Sequence, residues 1–187
     1  MTLGEYIKKY INKEEKLPFE TVVYKYKKNA KIFFPGQIEK NISFLISGIV
    51  EVGRIKDEKE TIFDFKYPNR FLSAFSSYHN QEKSDIYMSC ITDCVIEKIP
   101  LLEFEKALKT SLIVNQLARH MFLQAYLEVV KKERDSSTKT PRERYLELIE
   151  NNPTIIQDIP DFKIAKYLGI HPTSLSLLKK TALLGVS

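Results

Sequence analysis

The chain has 187 residues, of which 43% are hydrophobic, and carries a formal net charge of +5. This length suits one large globular domain or two small ones, and the apolar runs are shorter than the roughly 18 residues that a membrane-spanning helix needs. Charges run through the N-terminal stretch MTLGEYIKKYINKEEK, so it lacks the apolar segment of a secretory signal. We expect a cytoplasmic protein, whose mild basic charge is compatible with nucleic acid but does not indicate it alone.

Short strands dominate the first half of the sequence. After a short polar helix expected over residues 3–16, residues 21–99 contain runs such as TVVYKYK, NISFLISGIVEVGRI and DIYMSCI, which are rich in β-branched and aromatic residues. Strands at intervals of about 8 to 12 residues predict a β-sandwich or barrel. The predicted turns lie at Asn29, Pro35-Gly36, Ser47-Gly48, Lys56-Asp57, Pro68-Asn69 and Thr92-Asp93.

The two cysteines, Cys90 and Cys94, are too few for a disulfide framework and do not form a CxxC motif. We expect both to be core residues of a strand pair.

At Leu101 the apolar period becomes that of a helix, which we expect to run to about residue 134. A helix of roughly 30 residues is about 45 Å long and outreaches a small β-domain. One amphipathic helix packed on the β-domain is the simpler interpretation. However, apolar residues occupy more than one face, and the spare face needs a partner, most simply the same helix of a second subunit. The predicted dimer contacts are Leu117, Ala118, Met121, Phe122, Ala125 and Val129.

A polar connector, KKERDSSTKTPRERY, follows and is a predicted hinge. It ends in a helix start, because Thr140 can cap, Pro141 suits the first helical position, and Glu143 completes a capping box. The expected helix covers residues 141–151. The chain thus divides into a β-domain over residues 1–100, a long helix and hinge over 101–135, and a helical domain over 136–187.

The stretch DFKIAKYLGIHPTSLSLLKK, residues 161–180, has the spacing of a helix-turn-helix. Ala165 stands where two helices cross closely, and Gly169 stands where the turn needs a positive φ. Pro172 falls in the first turn of the second helix, where its missing N–H costs nothing. An ordinary helical hairpin would not require this combination. The apolar positions that would close the core are Ile164, Leu168, Ile170, Leu175 and Leu178.

The second helix of such a unit lies in the major groove of DNA, with its N-terminal side chains on base edges. Its outward residues here are mostly Ser, Thr and Leu, which discriminate weakly between bases, while the lysines suit phosphate contacts. The predicted DNA-binding residues are Lys163, His171, Thr173, Ser174, Ser176, Leu177, Lys179 and Lys180, with Lys166 as a further phosphate contact.

The order of these parts resembles the Crp/Fnr superfamily of bacterial transcription regulators over nearly the whole chain. FFPGQIEKNISFLISGIVEV is similar to the signature hairpin of the family's roll, and ITDCVIEKIPLLEFEKAL to its last strand and its entry into the dimer helix. ERYLELIENNPTIIQDIPDFKIAKYLGIHPTSLS looks like the short members common in the Bacteroidetes.

The resemblance implies an α+β fold. Its parts are an N-terminal double-stranded β-helix (a jelly roll like cyclic-nucleotide-binding domains), a long dimerisation helix, and a C-terminal helix-turn-helix domain without a full wing. It also implies a homodimeric regulator that is not an enzyme. The implied partners are double-stranded DNA, a second copy of the chain, RNA polymerase and a small-molecule effector, with no membrane.

Members of the family that bind cyclic AMP carry Gly-Glu for the ribose and Arg-Ser/Thr for the phosphate. Here Leu72-Ser73 stands at the first pair, and Lys83-Ser84 lies near the second, so a carboxylate and a bidentate fork are missing. We therefore expect no cyclic AMP and no resident cofactor; the region binds another ligand or none. The candidate effector pocket consists of Arg70, Phe71, Leu72, Ser73, Phe75, Ser76, Ser77, Lys83, Ser84, Arg119 and Gln124.

The reading helix also departs from that of the related proteins, which mostly have Glu at the position of Thr173 and Arg at that of Leu177.

There are two alternatives to a DNA-binding regulator. A cupin-type enzyme would need clustered His and Glu ligands, but His79 is the only histidine of the β-block. No metal site is expected, since the three histidines lie in different segments. A dimeric ligand- or partner-binding sensor with a degenerate DNA-binding unit is the second alternative.

Overall fold

The computed structural model describes residues 1–11, 16–57, 59–153 and 155–183. The chain divides into two units, residues 1–125 and 126–187. The elements are α1 (Leu3–Ile11), β1 (Val22–Tyr26), β2 (Lys31–Phe33), β3 (Asn41–Ser47), β4 (Val50–Lys56), β5 (Lys59–Lys66), β6 (Arg70–Leu72), α2 (Phe75–Asn80), β7 (Ile86–Cys90), β8 (Cys94–Pro100), α3 (Leu101–Leu108), α4 (Leu112–Thr138), α5 (Pro141–Asn151), α6 (Ile155–Asp158), α7 (Asp161–Leu168) and α8 (Pro172–Leu183).

Within the described residues, eight strands form two antiparallel four-stranded sheets, ordered β1-β8-β3-β6 and β2-β7-β4-β5. This order is that of a jelly roll, as the sequence predicts. Residues such as Phe44, Leu45, Val50 and Ile96 fill the interior, and β3 and β7 each contain four consecutive buried residues. Asn29, Asp57 and Asn69 have positive φ values, as do Gly36 and Gly48, at turns that the sequence predicts.

Two glycines admit the close packing of this interior. A Cβ at Gly48, whose φ is +93°, would lie 2.4 Å from the Asp93 carbonyl oxygen. A Cβ on Gly53 would lie 2.4 Å from the ring of Tyr87, which is fully buried. Only glycine fits at these two positions without displacing a neighbour.

Cys90 and Cys94 are buried free thiols, which agrees with their predicted core position. They end β7 and begin β8, which are consecutive strands of different sheets rather than hydrogen-bonded neighbours. The hydrogen bond with the Cys94 thiol, together with burial, raises the pKa of Cys90. Both side chains therefore belong to the packing between the two sheets.

Helix α1 is part of the core of the first unit. Its residues Leu3, Tyr6 and Ile7 are buried in one cluster with Phe44 and Leu117. The helix predicted over residues 3–16 is described over Leu3–Ile11, where its buried face packs into this core. The remainder of that prediction, at residues 12–15, lies outside the described residues.

The prediction of a single long helix from Leu101 is wrong, because residues 109–111 separate α3 from α4. Ser111 supplies the new start, since its hydroxyl accepts the N–H of Val114 at 3.4 Å. The Asn115 side chain donates to the carbonyls of Leu108 and Ser111 and so satisfies backbone acceptors at the break. The second helix, α4, then continues to Thr138, into the segment predicted as a hinge.

In the second unit, α5 begins as the sequence predicts. Thr140 accepts from the N–H of Glu143, whose carboxylate in turn accepts from the N–H of Thr140 at 2.7 Å. Tyr145, on the same helix, is buried. Among the described residues, no helix is long and apolar enough to cross a membrane.

Candidate nucleic-acid interface and effector region

The geometry of α7 and α8 is that of the predicted helix-turn-helix. Gly169 ends α7 in the left-handed conformation at φ 71°, and the Ile170 N–H returns to the carbonyl of Ala165 at 3.0 Å. Ala165, the small residue predicted at the crossing of the two helices, is buried. Ile164, Leu168 and Leu175 are buried with it, while Ile170 and Leu178 are half-buried.

The first two turns of α8 leave a row of side chains exposed. His171 Nδ1 lies 2.8 Å from the Thr173 hydroxyl, so these two residues form one hydrogen-bonded group at the helix start. Ser174 is exposed, and the Ser176 hydroxyl donates to the Pro172 carbonyl at 3.1 Å. Leu177 is 65% exposed.

The predicted phosphate-contacting lysines differ in their surroundings. Lys180 is exposed at the end of the outward face. Lys179 instead forms an ion pair with Asp161 at the start of α7. Lys163 and Lys166 lie 5.8 and 6.0 Å from the centre of the exposed Phe162 ring, which their side chains flank.

Arg144, which the sequence analysis did not single out, braces this unit. Its guanidinium donates to the Tyr167 carbonyl at 3.1 Å and lies 5.4 Å from the centre of the Tyr167 ring. The contact joins α5 to the C-terminal turn of α7. No local pattern predicts it, because the two residues are 23 positions apart.

The predicted dimer residues fall on two different faces of α4. Leu117 and Ala118 are buried in the core of the first unit, against the roll and α1, and Met121 packs against the same cluster. Their burial is therefore already explained within one chain. Phe122 is partly exposed, and Ala125 and Val129 are exposed.

Another row on α4 is apolar and unburied. It includes Leu112, Leu123, Tyr126 and Val130, and Tyr126 is 65% exposed. Together with Gln116 and Arg119, these residues are spaced four, three, four, three and four apart, the spacing of a coiled-coil seam. We call the row of Leu112, Gln116, Arg119, Leu123, Tyr126 and Val130 the α4 seam.

The candidate effector pocket is only partly brought together. Leu72 is 3% exposed and belongs to the core of the roll, and Phe71 packs on Tyr6 and Phe44. Ser73 donates to the Asn41 carbonyl at 3.2 Å. These three side chains serve the roll itself, and Leu72 fills the interior where the resemblance implies a glycine.

A buried carboxylate at the start of α2 was missed by the sequence analysis. Glu39 is 6% exposed and accepts three backbone hydrogen bonds, from Lys40 and Asn41 at 3.0 Å and from Ala74 at 3.2 Å. The buried Ser77 accepts from the Glu39 N–H and donates to the Glu82 carbonyl at 2.6 Å. The carboxylate of the protein itself thus occupies the start of α2.

The other predicted pocket residues are more dispersed. Phe75 meets α4 through an edge-to-face contact with Phe122, with ring centres 5.1 Å apart. Arg119 lies on the α4 seam, away from the row of α4 residues that packs on the roll. Ser84 is half-buried. The remaining predicted pocket residues are exposed, namely Arg70, Ser76, Lys83 and Gln124.

No known family profile matches the sequence, and no curated protein matches it either. Solved structures do match, and they define the fold as that of Crp/Fnr-type regulators. FixK2 from Bradyrhizobium japonicum shares 16% identity over 90% of this chain and 87% of its own, with a TM-score of 0.71.

Two further neighbours have the same arrangement. The global regulator CLP of Xanthomonas campestris, described as responsive to c-di-GMP, shares 13% identity over 88% of this chain and 87% of its own, with a TM-score of 0.69. A Crp/Fnr-family regulator from Eubacterium rectale shares 16% identity over 89% and 80%, with a TM-score of 0.68. At these identities the likeness establishes a shared fold.

Proposed function

We propose that the protein is a homodimeric, DNA-binding transcription regulator of the Crp/Fnr type, close to the short Bacteroidetes-type members. The observation that carries the proposal is the helix-turn-helix of the second unit, with Ala165 buried at the crossing and Gly169 at φ 71°. The start of α8 presents His171 and Thr173 outward, as a reading helix does.

Binding through this surface would depend mostly on the DNA backbone. Ser174 and Ser176 offer hydroxyls that suit several bases, and Leu177 offers only apolar contact, for example to a thymine methyl group. Lys180, Lys163 and Lys166 are the cations that would contact phosphates. We therefore propose a regulator with modest base discrimination and a strong dependence on salt.

The homodimer would form along the α4 seam. Leu123, Tyr126 and Val130 are large apolar side chains left in solvent by a single chain, and their heptad spacing suits a parallel pair of helices. A two-fold axis along α4 would present two reading helices, as a two-fold symmetric operator requires. This seam replaces Leu117 and Ala118 as the centre of the proposed contact.

The roll would respond to an effector other than cyclic AMP. Leu72 fills the interior at the ribose position, and Glu39 already accepts the N–H of Ala74 at the start of α2. A phosphate brought to this point would face a buried carboxylate, which repels it. We propose no catalytic role, action in the cytoplasm, and RNA polymerase as a further partner at promoters.

A mobility-shift assay on DNA from upstream of the protein's own gene tests the proposal. The full chain should give saturable binding at low salt, and Lys180→Glu should weaken it on the order of tenfold, since one phosphate contact becomes repulsive. Lys109→Glu, an equal charge reversal at an exposed site of the first unit, is the matched control and should bind like the wild type.

A sensor with a degenerate DNA-binding unit is the second candidate, and one observation favours it. Lys179, a cation expected to contact phosphate, is neutralised by Asp161 within the unit. The same assay separates the two functions. A homodimer that gives no shift at low salt, with or without a metabolite extract, supports the sensor and contradicts the regulator.

A further inference from the structure

A groove runs between α1 and the first half of α4 in the first unit, on the side that carries the α4 seam. It encloses about 780 Å³, within the range of small-molecule sites. Its lining comprises apolar, aromatic, amide and basic side chains: Tyr10, Leu108, Gln116, Arg119, His120 and Leu123 are the ones that matter here.

Within the described residues, the groove is basic. None of the residues described as lining it is acidic, and α4 contains no Asp or Glu before Glu128. Arg119 is exposed and forms no ion pair or hydrogen bond with the described residues. Lys9 lies 5.2 Å from the centre of the Tyr10 ring at the edge of the groove and adds a second positive charge nearby.

Gln116 supplies a further unsatisfied group. Its side-chain oxygen is buried and accepts no hydrogen bond within the described part of the chain. A buried acceptor without a donor is destabilising, so such an atom calls for a donor. Gln116 and Arg119 are three residues apart on α4, and both belong to the α4 seam. A donor that binds the Gln116 oxygen would therefore lie close to Arg119.

The aromatic residues of the groove are held in place. His120 Nε2 lies 2.9 Å from the Tyr6 hydroxyl, and its ring stacks on Tyr10 with ring centres 5.5 Å apart. These contacts fix α1 against α4 at this point. The groove therefore has an aromatic wall beside a guanidinium that forms no ion pair with the described residues.

In a parallel dimer along the α4 seam, Arg119 would face Arg119 of the second copy. Two guanidinium groups in a partly desolvated seam repel each other unless an anion lies between them. A guanidinium has five N–H donors, more than a single oxyanion accepts. One of these donors can therefore bind the Gln116 oxygen. That oxygen cannot supply the missing negative charge.

We propose that this groove, completed by the second copy, binds the oxyanion group of a small molecule between the two Arg119 side chains. The phosphate or carboxylate accepts bidentate hydrogen bonds from both guanidinium groups, and the wall of Tyr10 and His120 takes the rest of the molecule. Binding strengthens the dimer, because the site exists only when two copies meet. This inference rests on the proposed homodimer and names its ligand class.

Sedimentation equilibrium of the full chain tests the inference, with ionic strength held constant by sodium chloride. We expect inorganic phosphate to lower the dimer dissociation constant on the order of tenfold, which corresponds to about 1.4 kcal/mol. Succinate, in a parallel titration, tests the carboxylate source. A response to either anion supports the site, and a response to phosphate alone assigns a phosphate-bearing ligand.

Variants make the test specific to Arg119. Arg119→Leu should dimerise more tightly without phosphate, since the repulsion is replaced by apolar contact, and should not respond to phosphate. Lys109→Leu removes an exposed cation outside the groove and should respond like the wild type. A wild-type dimer that responds to neither anion, or an equal response in Arg119→Leu, overturns the site. A chain that stays monomeric under all conditions contradicts the homodimer itself.

Discussion

Glu39 accepts the backbone N–H of Ala74 at 3.2 Å, 35 residues away in the chain, while its other carboxylate oxygen accepts the N–H groups of Lys40 and Asn41. The carboxylate thus ties the loop before β3 to the start of α2. Because the side chain is 6% exposed, any donor left facing these N–H groups costs free energy.

Glu39→Gln should therefore lower the free energy of unfolding by about 1–3 kcal/mol. An amide has one acceptor oxygen, so its NH₂ group must oppose at least one of the backbone donors. Urea unfolding followed by circular dichroism measures the change. Glu82→Gln is the control, since that side chain is exposed and should shift stability by less than about 0.5 kcal/mol. An equal effect of both variants would contradict the role of Glu39.

Leu123→Glu should convert the proposed dimer to monomers at micromolar concentration. The substitution puts a charge in the middle of the α4 seam, opposite the same charge of the second copy. Leu102→Glu, at an exposed leucine of α3 outside the seam, should leave the dimer intact. Sedimentation velocity distinguishes the two species. If Leu123→Glu remains dimeric, the interface lies elsewhere on the chain.

The end of α4 is tied to α5 by a cluster of charges. Lys139 Nζ lies 2.7 Å from Glu147 Oε2, and Lys131 contacts both Glu147 and Asp135. Hydrogen bonds from Lys131 and Lys139 hold the pKa of Glu147 below its ordinary 4.5. Burial alone would raise the pKa of Asp135, but hydrogen bonds from Lys139 and Lys131 outweigh it and lower that pKa as well.

This cluster predicts a loss of stability in acid. A carboxylate with a lowered pKa in the folded state stabilises the fold above its unfolded pKa, here about 4.5 for Glu147, and the contribution disappears as the pH falls through the lower folded value. Glu147→Gln should cost about 1 kcal/mol at pH 7 and flatten the acid dependence. Glu150→Gln, exposed on the same helix, is the control. Thermal unfolding of the full chain over a pH series measures both.

Leu177→Arg should tighten DNA binding. The position is exposed on α8, the proposed reading helix, and a bidentate arginine contact to guanine adds roughly 1–3 kcal/mol of discrimination where the DNA offers that base. Leu102→Arg adds the same charge to an exposed leucine of the first unit and controls for non-specific attraction. Fluorescence anisotropy gives both affinities. If the two variants bind equally, Leu177 does not face the major groove of DNA.

The sequence predicts the parts whose signals are local. The capping box at Thr140 and Glu143 and the spacing of Ala165 and Gly169 each lie within one helix or one turn, so the residues alone determine the geometry. The roll is predictable for a similar reason, because runs of β-branched and aromatic residues alternate with turn residues at short intervals along the chain.

Other features depend on contacts that a local pattern does not encode. The apolar stripe through Leu117 and Ala118 has the same sequence pattern whether it packs on the chain's own roll or on a second copy. The break before α4 depends on the Asn115 amide reaching back to Leu108, and the ion pair of Lys179 with Asp161 joins residues 18 positions apart. The role of Glu39 is equally hidden, since a carboxylate in a loop is ordinarily expected in solvent.

The salt dependence of DNA binding tests the central claim most directly. In anisotropy titrations of the full chain on a labelled duplex from upstream of its gene, the logarithm of the binding constant should fall linearly with the logarithm of the salt concentration. The expected slope is about −0.9 per phosphate contacted. Lys180→Glu should reduce that slope by about one contact. Saturable binding with a steep slope is the predicted result. A homodimer that does not bind the duplex at low salt, or whose weak binding ignores salt, would contradict a DNA-binding regulator.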